Sequence, residues 1–287
     1  MAEAAVELAA AGVASARADA ELLAAYVLGI PRGRLALVTD FDSEQGRRYR
    51  ALVGERVSRV PLQHLTGTAP FRHLELAVGP GVFVPRPETE SVVEWGLRWL
   101  REHPTTEPLV VDLCAGSGAI AAAVATEVPG ARVYAVEWDA GALTWLRRNV
   151  ADRPVTIVEG DATDPATLSE LDASVDLVLC NPPYVPEIGA AGLPAEVTGH
   201  DPHQAVFGGR DGLDVIRPLV GRAATLLRPG GAFAVEHDDT HAYVVPTLVA
   251  ADGRFTGVEL HHDLAGRSRF TTATTVQSGD RMADFNT

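Results

Sequence analysis

The chain has 287 residues, 46% hydrophobic and 22% charged, ordinary proportions for a globular protein with a sizeable core. Its formal net charge is −14 and all 24 basic residues are arginine, so the overall field does not favour a phosphate backbone, and no direct nucleic-acid partner is expected. No apolar run approaches the ~20 residues that span a bilayer, and Glu3 and Glu7 stand where a secretory leader would be basic. With Cys114 and Cys180 as the only cysteines, a cytoplasmic location without membrane contact is expected.

Taken in chain order, residues 1–68 predict a small helical domain. Leu22, Leu23, Tyr26 and Val27, then Leu52, Val53, Val57 and Val60, recur at helical spacing, and Pro31 and Gly33 punctuate between them. Short alternating runs follow, Leu74–Val78 and Val82–Val84 around Gly79-Pro80-Gly81, which predict a β-hairpin linker over 69–86. Pro85 to Glu90 reads as a helix start, with proline and carboxylates in the first turn.

From Leu109 strands and helices alternate. Leu109–Cys114, Val133–Glu137, Val155–Glu159 and Val175–Cys180 read as strands, followed by Gly231–Glu236, Phe255–Leu260 and Arg269–Thr272. The pattern predicts an α/β domain over 87–275, a Rossmann-like seven-stranded sheet that is mostly parallel with helices on both faces. Ligands in such sheets bind at the carboxyl ends of the strands. Residues 276–287 read as a loose polar tail.

The sequence Asp112-Leu113-Cys114-Ala115-Gly116-Ser117-Gly118 turns the first of these strands into a helix. Gly116 and Gly118 permit a tight turn and close approach of backbone to ligand. By itself the turn fits either a nicotinamide enzyme or an S-adenosylmethionine (AdoMet) enzyme. Glu137, about 20 residues on, is placed to accept from ribose hydroxyls. Asp112 would crowd a pyrophosphate but suits an amino group and a sulfonium. Gly160-Asp161-Ala162 ends the third strand, where Asp161 can accept from an adenine amino group. Acids at three successive strand ends favour AdoMet over their simpler use as helix caps.

Asn181-Pro182-Pro183-Tyr184 follows the fourth strand. The two prolines make a stiff turn rich in acceptors. The Asn181 side-chain oxygen and the Pro182 carbonyl suit the two hydrogens of a planar –NH2 group, with Tyr184 packed on its face. Orientation of that kind offsets several kcal/mol of barrier for a poor nitrogen nucleophile.

Asp-Leu-x-x-Gly-Ser-Gly followed by Asn-Pro-Pro-Tyr resembles the class I methyltransferases that act on planar amide or amino nitrogens. Val84-Pro85-Arg86-Pro87-Glu88-Thr89-Glu90 is similar to the signature of the release factor glutamine methyltransferases (the PrmC/HemK family). Arg17–Leu23, Pro61–Gly67, Gly208–Leu213, Glu236-His237 and Asp263–Arg269 resemble family segments in the right order, so the likeness covers most of the chain.

The resemblance implies N5-methylation of the glutamine in the Gly-Gly-Gln motif of class I peptide chain release factors. It also implies an AdoMet cofactor and a release factor partner held in part by the helical domain; no metal and a monomer are expected. Cofactor binding falls on Asp112, Cys114, Ala115, Gly116, Ser117, Gly118, Glu137, Asp161, Ala162 and Asn181. Catalysis falls on Asn181, Pro182, Pro183 and Tyr184. Substrate contacts fall on Arg86, Pro87, Glu88 and Glu90 with Asn181 and Tyr184.

The chain departs from the family pattern at three places. Cys114 stands where glycine is frequent, and Ala162 replaces a bulkier residue. Asp238-Asp239-Thr240-His241 replaces Gly-x-x-Gln after Glu236-His237. His237 and His241 have a spacing that a metal site can use, but a strand end between them argues for an acidic helix start instead. The alternatives are an amino-methyltransferase acting on adenine or cytosine, which would need a basic groove, and methylation of another protein glutamine. A non-catalytic AdoMet-binding protein would have no use for the amide grip.

Overall fold

A computed structural model describes residues 1–38, 40–188, 192–263 and 265–277. The chain opens with helices α1 (Ala2–Ala10), α2 (Ala16–Leu28), α3 (Ser43–Val57) and α4 (Leu62–Thr66). Asp42 starts α3 by accepting from the Glu44 and Gln45 N–H groups, and Gln45 returns a bond to Asp42. Gly29, at φ 66°, ends α2 in the left-handed conformation that suits glycine. These helices bury Leu8, Leu23, Ala24 and Val53 in a core of their own. Of the helix-spaced residues, Leu22 and Tyr26 stay partly exposed at 37% and 39%, because α2 turns only one face inward. An ion pair lies within the bundle, Arg56 Nε to Asp19 Oδ2 at 2.8 Å.

A hairpin is present, but not where the sequence placed it. β1 (Thr68–Phe71) pairs antiparallel with β2 (Leu74–Ala77) across a turn at Arg72-His73. Arg72 takes φ 52°, an unusual conformation for arginine that conceals the turn from residue preferences. Its guanidinium is fixed by Glu127, through Nη2 to Oε2 at 2.8 Å, and by Glu94 at 2.9 Å. Val82 and Val84 form no strand; both are buried beside Ala69 and Val78. Proline-rich residues 85–89 then lead into α5 (Glu90–Glu102).

The remaining elements alternate: β3 (Leu109–Leu113), α6 (Ala119–Glu127), β4 (Arg132–Glu137), α7 (Ala140–Asn149), β5 (Val155–Glu159) and β6 (Val175–Cys180). After them come α8 (Ala195–His200), α9 (His203–Val206), α10 (Ile216–Leu226), β7 (Leu227–Glu236), α11 (Val244–Ala251), β8 (Phe255–His262) and β9 (Ser268–Thr275). Seven strands form one sheet in the order β5-β4-β3-β6-β7-β9-β8. Neighbours from β5 to β7 are parallel, while β9 runs antiparallel to both β7 and β8. β3 and β6 are buried along their whole length, as parallel strands covered on both faces must be. Val110, Leu177 and Leu179 face α5 and α6 on one side; Val111, Val178 and Cys180 face α10 and α11 on the other.

Chain order reverses between β3 and β6, so their carboxyl ends flank a crevice at the switch point. α8 and α9 lie in the long connection after β6. Glu196 of α8 ties that connection to the helical bundle, accepting from Arg56 Nη2 at 2.8 Å and from Arg59 Nε at 2.9 Å. Of the tail expected over 276–287, residues 278–287 lie outside the described residues.

Candidate active site

The turn after β3 is held in a shape that only a few residues accept. Cys114, Gly116 and Gly118 take φ values of 64°, 56° and 83°. Cys114 bears about 1–2 kcal/mol there that glycine would not, and its side chain packs on the core beneath the sheet. A Cβ on Gly118 would sit 2.5 Å from Leu146 Cδ1, so glycine is required for α6 to approach α7. A Cβ on Gly116 would meet nothing within 4 Å. Asn149, at the end of α7, braces the turn: Nδ2 donates to Ser117 O and to Ala77 O, both at 2.9 Å.

Glu137 ends β4 and binds the same turn, its Oε2 accepting from Gly116 N at 2.7 Å. Its Oε1 accepts from Trp138 N and Asp139 N at 2.9 and 2.8 Å. Burial pushes its carboxyl upward against these hydrogen bonds. Asp161 is exposed and caps its own loop, accepting from Thr163 N at 2.8 Å. Both acids therefore shape their loops while facing the crevice.

Asn181 and Tyr184 stand at the end of β6. The Asn181 Nδ2 donates to Thr89 Oγ1 at 3.1 Å, which turns Oδ1 away from that contact. Tyr184 Oη donates to Glu236 Oε1 at 2.8 Å. Glu236 ends β7, is 1% exposed, and has no hydrogen-bond partner at Oε2. Burial raises the Glu236 carboxyl and, with the negative charge beside it, raises the Tyr184 phenol as well.

One cavity of about 750 Å³ joins these features, within the size range of small-molecule sites. Of the sequence-predicted residues, Cys114–Ser117, Glu137, Asp161, Ala162 and Asn181–Tyr184 line it, together with Arg86 and Glu88. Asp112, Gly118, Pro87 and Glu90 do not line it. Asp112 is 1% exposed within β3, its Oδ2 accepting from Ala121 N at 3.0 Å, so it fastens α6 to the sheet. Gly118 serves helix packing. Glu90 accepts from the Arg72 N–H at 3.0 Å, on the hairpin side of α5.

Arg86 lines the cavity with its charge already engaged. It pairs with buried Asp201 at 2.6 Å and lies over the Phe83 ring. Glu88 pairs with Arg267 at 3.2 Å. His237 is buried, bonded to Thr271 Oγ1 at 2.8 Å, and burial holds its imidazole down at about 4. Asp238 caps its loop through Thr240, and the His241 ring bonds to Asp211 O at 2.9 Å. No cluster of three or more potential metal ligands occurs among the described residues.

Sequence reading missed Thr89, Glu236, Trp138 and Arg269, all of which line the cavity. Thr89 sits inside the Pro85–Glu90 motif, and Glu236 ends its strand just as Glu137 does, which was the available signal. Trp138, 62% exposed, is a large ring next to the β4 acid. Arg269 comes from β9, which no local pattern connects to β6.

A seven-stranded sheet in this order, with a glycine turn and an acid at adjoining strand ends, defines a class I methyltransferase. A methyltransferase from Pyrococcus furiosus shares the fold, with TM-score 0.51 at 16% identity over 81% of this chain and 98% of that one. The PrmC N-terminal domain model matches residues 1–67 and the methyltransferase small domain model residues 75–192. A relative from Mycolicibacterium smegmatis named release factor glutamine methyltransferase is 52% identical over 94% of each chain. A relative from Streptomyces pristinaespiralis, named 4-amino-L-phenylalanine/4-methylamino-L-phenylalanine methyltransferase, is 40% identical over 88% of this chain and 87% of its own. The chain belongs to the release factor glutamine methyltransferase family.

Proposed function

We propose that the protein methylates the N5 side-chain nitrogen of the glutamine in the Gly-Gly-Gln motif of class I peptide chain release factors, using AdoMet. The observation that carries this reading is the Asn181 amide, whose nitrogen is occupied by Thr89 and whose oxygen is left for an incoming N–H. The family relatives' names support the substrate.

The residues present fit AdoMet. Gly116 leaves open space where a side chain would intrude, and Glu137 and Asp161 line the cavity as acceptors for hydroxyl and amino groups. When bound, AdoMet supplies an electrophilic methyl group on a sulfonium. The turn Cys114–Gly118 would hold its amino-acid end, Glu137 its ribose, and Asp161 with Ala162 its base. Asn181 Oδ1 and the Pro182 carbonyl would accept the two N–H groups of the acceptor, and Tyr184 would cover its plane. Pro182 and Pro183 keep that loop from yielding. Orientation replaces strong base catalysis in this scheme.

Labelled AdoMet is the test, offered with a release factor, with the same factor carrying Ala in place of its Gly-Gly-Gln glutamine, and with free 4-amino-L-phenylalanine. Label is expected on the intact factor alone. Equal label on both factors overturns the assigned glutamine, and transfer to the free amine alone moves the substrate to aryl amines. Asn181→Ala is expected to lower kcat by about 100-fold or more.

A further inference from the structure

The grip on the acceptor depends on two side chains, and neither chooses its own orientation. An asparagine amide can sit with nitrogen and oxygen exchanged at almost no steric cost, so its neighbours decide which end faces the cavity. Here the neighbour is Thr89, 3% exposed, whose Oγ1 receives Asn181 Nδ2 at 3.1 Å. A threonine hydroxyl has one proton. If that proton went to Asn181, the amide would have to turn its oxygen to Thr89 and present –NH2 to the acceptor, which repels another –NH2.

The Asn181 Nδ2 bond to Thr89 excludes that arrangement. Glu236 holds the second side chain, its Oε1 accepting from Tyr184 Oη at 2.8 Å. Thr89 and Tyr184 both lower the Glu236 carboxyl against the upward push of burial. Thr89 comes from the segment before α5 and Glu236 from the end of β7, and both line the cavity beside Asn181 and Tyr184.

We propose that Thr89 and Glu236 are positioning residues that set the polarity of the grip, fixing the Asn181 oxygen and the Tyr184 ring toward the acceptor. Thr89 accepts from Asn181 Nδ2, which leaves Oδ1 for the acceptor, and Tyr184 is held by its own donation to Glu236. The inference rests on the methyl-transfer role proposed above, so its test has one arm that needs no acceptor.

The first arm is kinetic, with the full chain, a release factor and variants Thr89→Val, Thr89→Ser and Glu236→Gln. Thr89→Val and Glu236→Gln are expected to lower kcat by about 10- to 100-fold. S-adenosylhomocysteine affinity should stay within about 2-fold, because neither bond reaches the glycine turn. Thr89→Ser, which keeps the hydroxyl, should restore the rate to within about 3-fold. The second arm is NMR of the protein labelled at asparagine nitrogen, which carries only Asn149, Asn181 and Asn286. The Asn181 side-chain signals should move in Thr89→Val and keep their positions in Thr89→Ser.

Unmoved Asn181 signals in Thr89→Val overturn the proposal whatever the acceptor proves to be. So does a Thr89→Ser enzyme as slow as Thr89→Val, or a loss of kcat matched by lost S-adenosylhomocysteine affinity. A wild-type enzyme that leaves the release factor unlabelled overturns only the substrate, and the NMR arm still decides the polarity. Should Glu236→Gln fail to fold, the Thr89 pair decides it alone.

Discussion

Inside the sheet, the Asp112 carboxyl accepts from Ala121 through Oδ2 and has no partner at Oδ1. Burial pushes its pKa up to about 8 from the ordinary 3.8. The folded chain therefore keeps this proton across a range in which the unfolded chain has lost it, and stability falls as pH rises from about 4 to about 8. Asp112→Asn removes the charge and is expected to stabilise the protein by about 1–3 kcal/mol above pH 8 and much less near pH 5. Denaturant titration at the two pH values checks the sign; an equal gain at both contradicts it. Cys114 is strained in the opposite sense, by backbone rather than charge, and its departure from glycine leaves the turn intact at φ 64°.

Among the elements, α7 does more than cover the sheet. Its last residue, Asn149, is 6% exposed and satisfies three backbone groups, Ala77 N, Ala77 O and Ser117 O. It joins the hairpin to the glycine turn. Asn149→Leu would strand all three groups, and an unpaired buried polar group costs about 1–3 kcal/mol each. The expected outcome is a loss of at least ~3 kcal/mol in denaturant titration together with weaker S-adenosylhomocysteine binding. Unchanged binding would show that the turn holds its shape without the brace. Only the existence of a hairpin was legible in the sequence. Its register depends on Arg72 at positive φ, held by Glu94 and Glu127, and those partners lie on α5 and α6.

At the scale of the whole molecule, the helical bundle and the sheet meet through α8. Glu196 accepts from both Arg56 and Arg59. Burial pushes its carboxyl up, but those two hydrogen bonds prevail and hold it at about 2, against 4.5 ordinarily. A depressed carboxylate gives stability that is present above about pH 4.5 and lost as pH falls through about 2. Glu196→Gln is expected to lower stability by about 1–3 kcal/mol at neutral pH and to flatten that acid dependence. Its readout is the pH profile of thermal unfolding, with proteolysis after Arg56 or Arg59 as a local check. A variant with the wild-type acid profile would remove Glu196 from the coupling. Because Leu193, Pro194 and Val197 around α8 line the cavity, the same variant tests whether the bundle steadies one wall of the site.

The alternation of strands and helices, the glycine turn, the β4 acid and the Asn-Pro-Pro-Tyr loop are all legible along the chain. These are set by local preference: apolar runs, glycine where φ is positive, and proline where the chain must stiffen. Which residues complete the site depends on long-range packing. Thr89 meets Asn181 across 92 positions and Tyr184 meets Glu236 across 52, distances that no local pattern encodes. Packing also decided that Asp112 supports the turn from beneath, because alternation along a strand buried on both faces turned that side chain into the core.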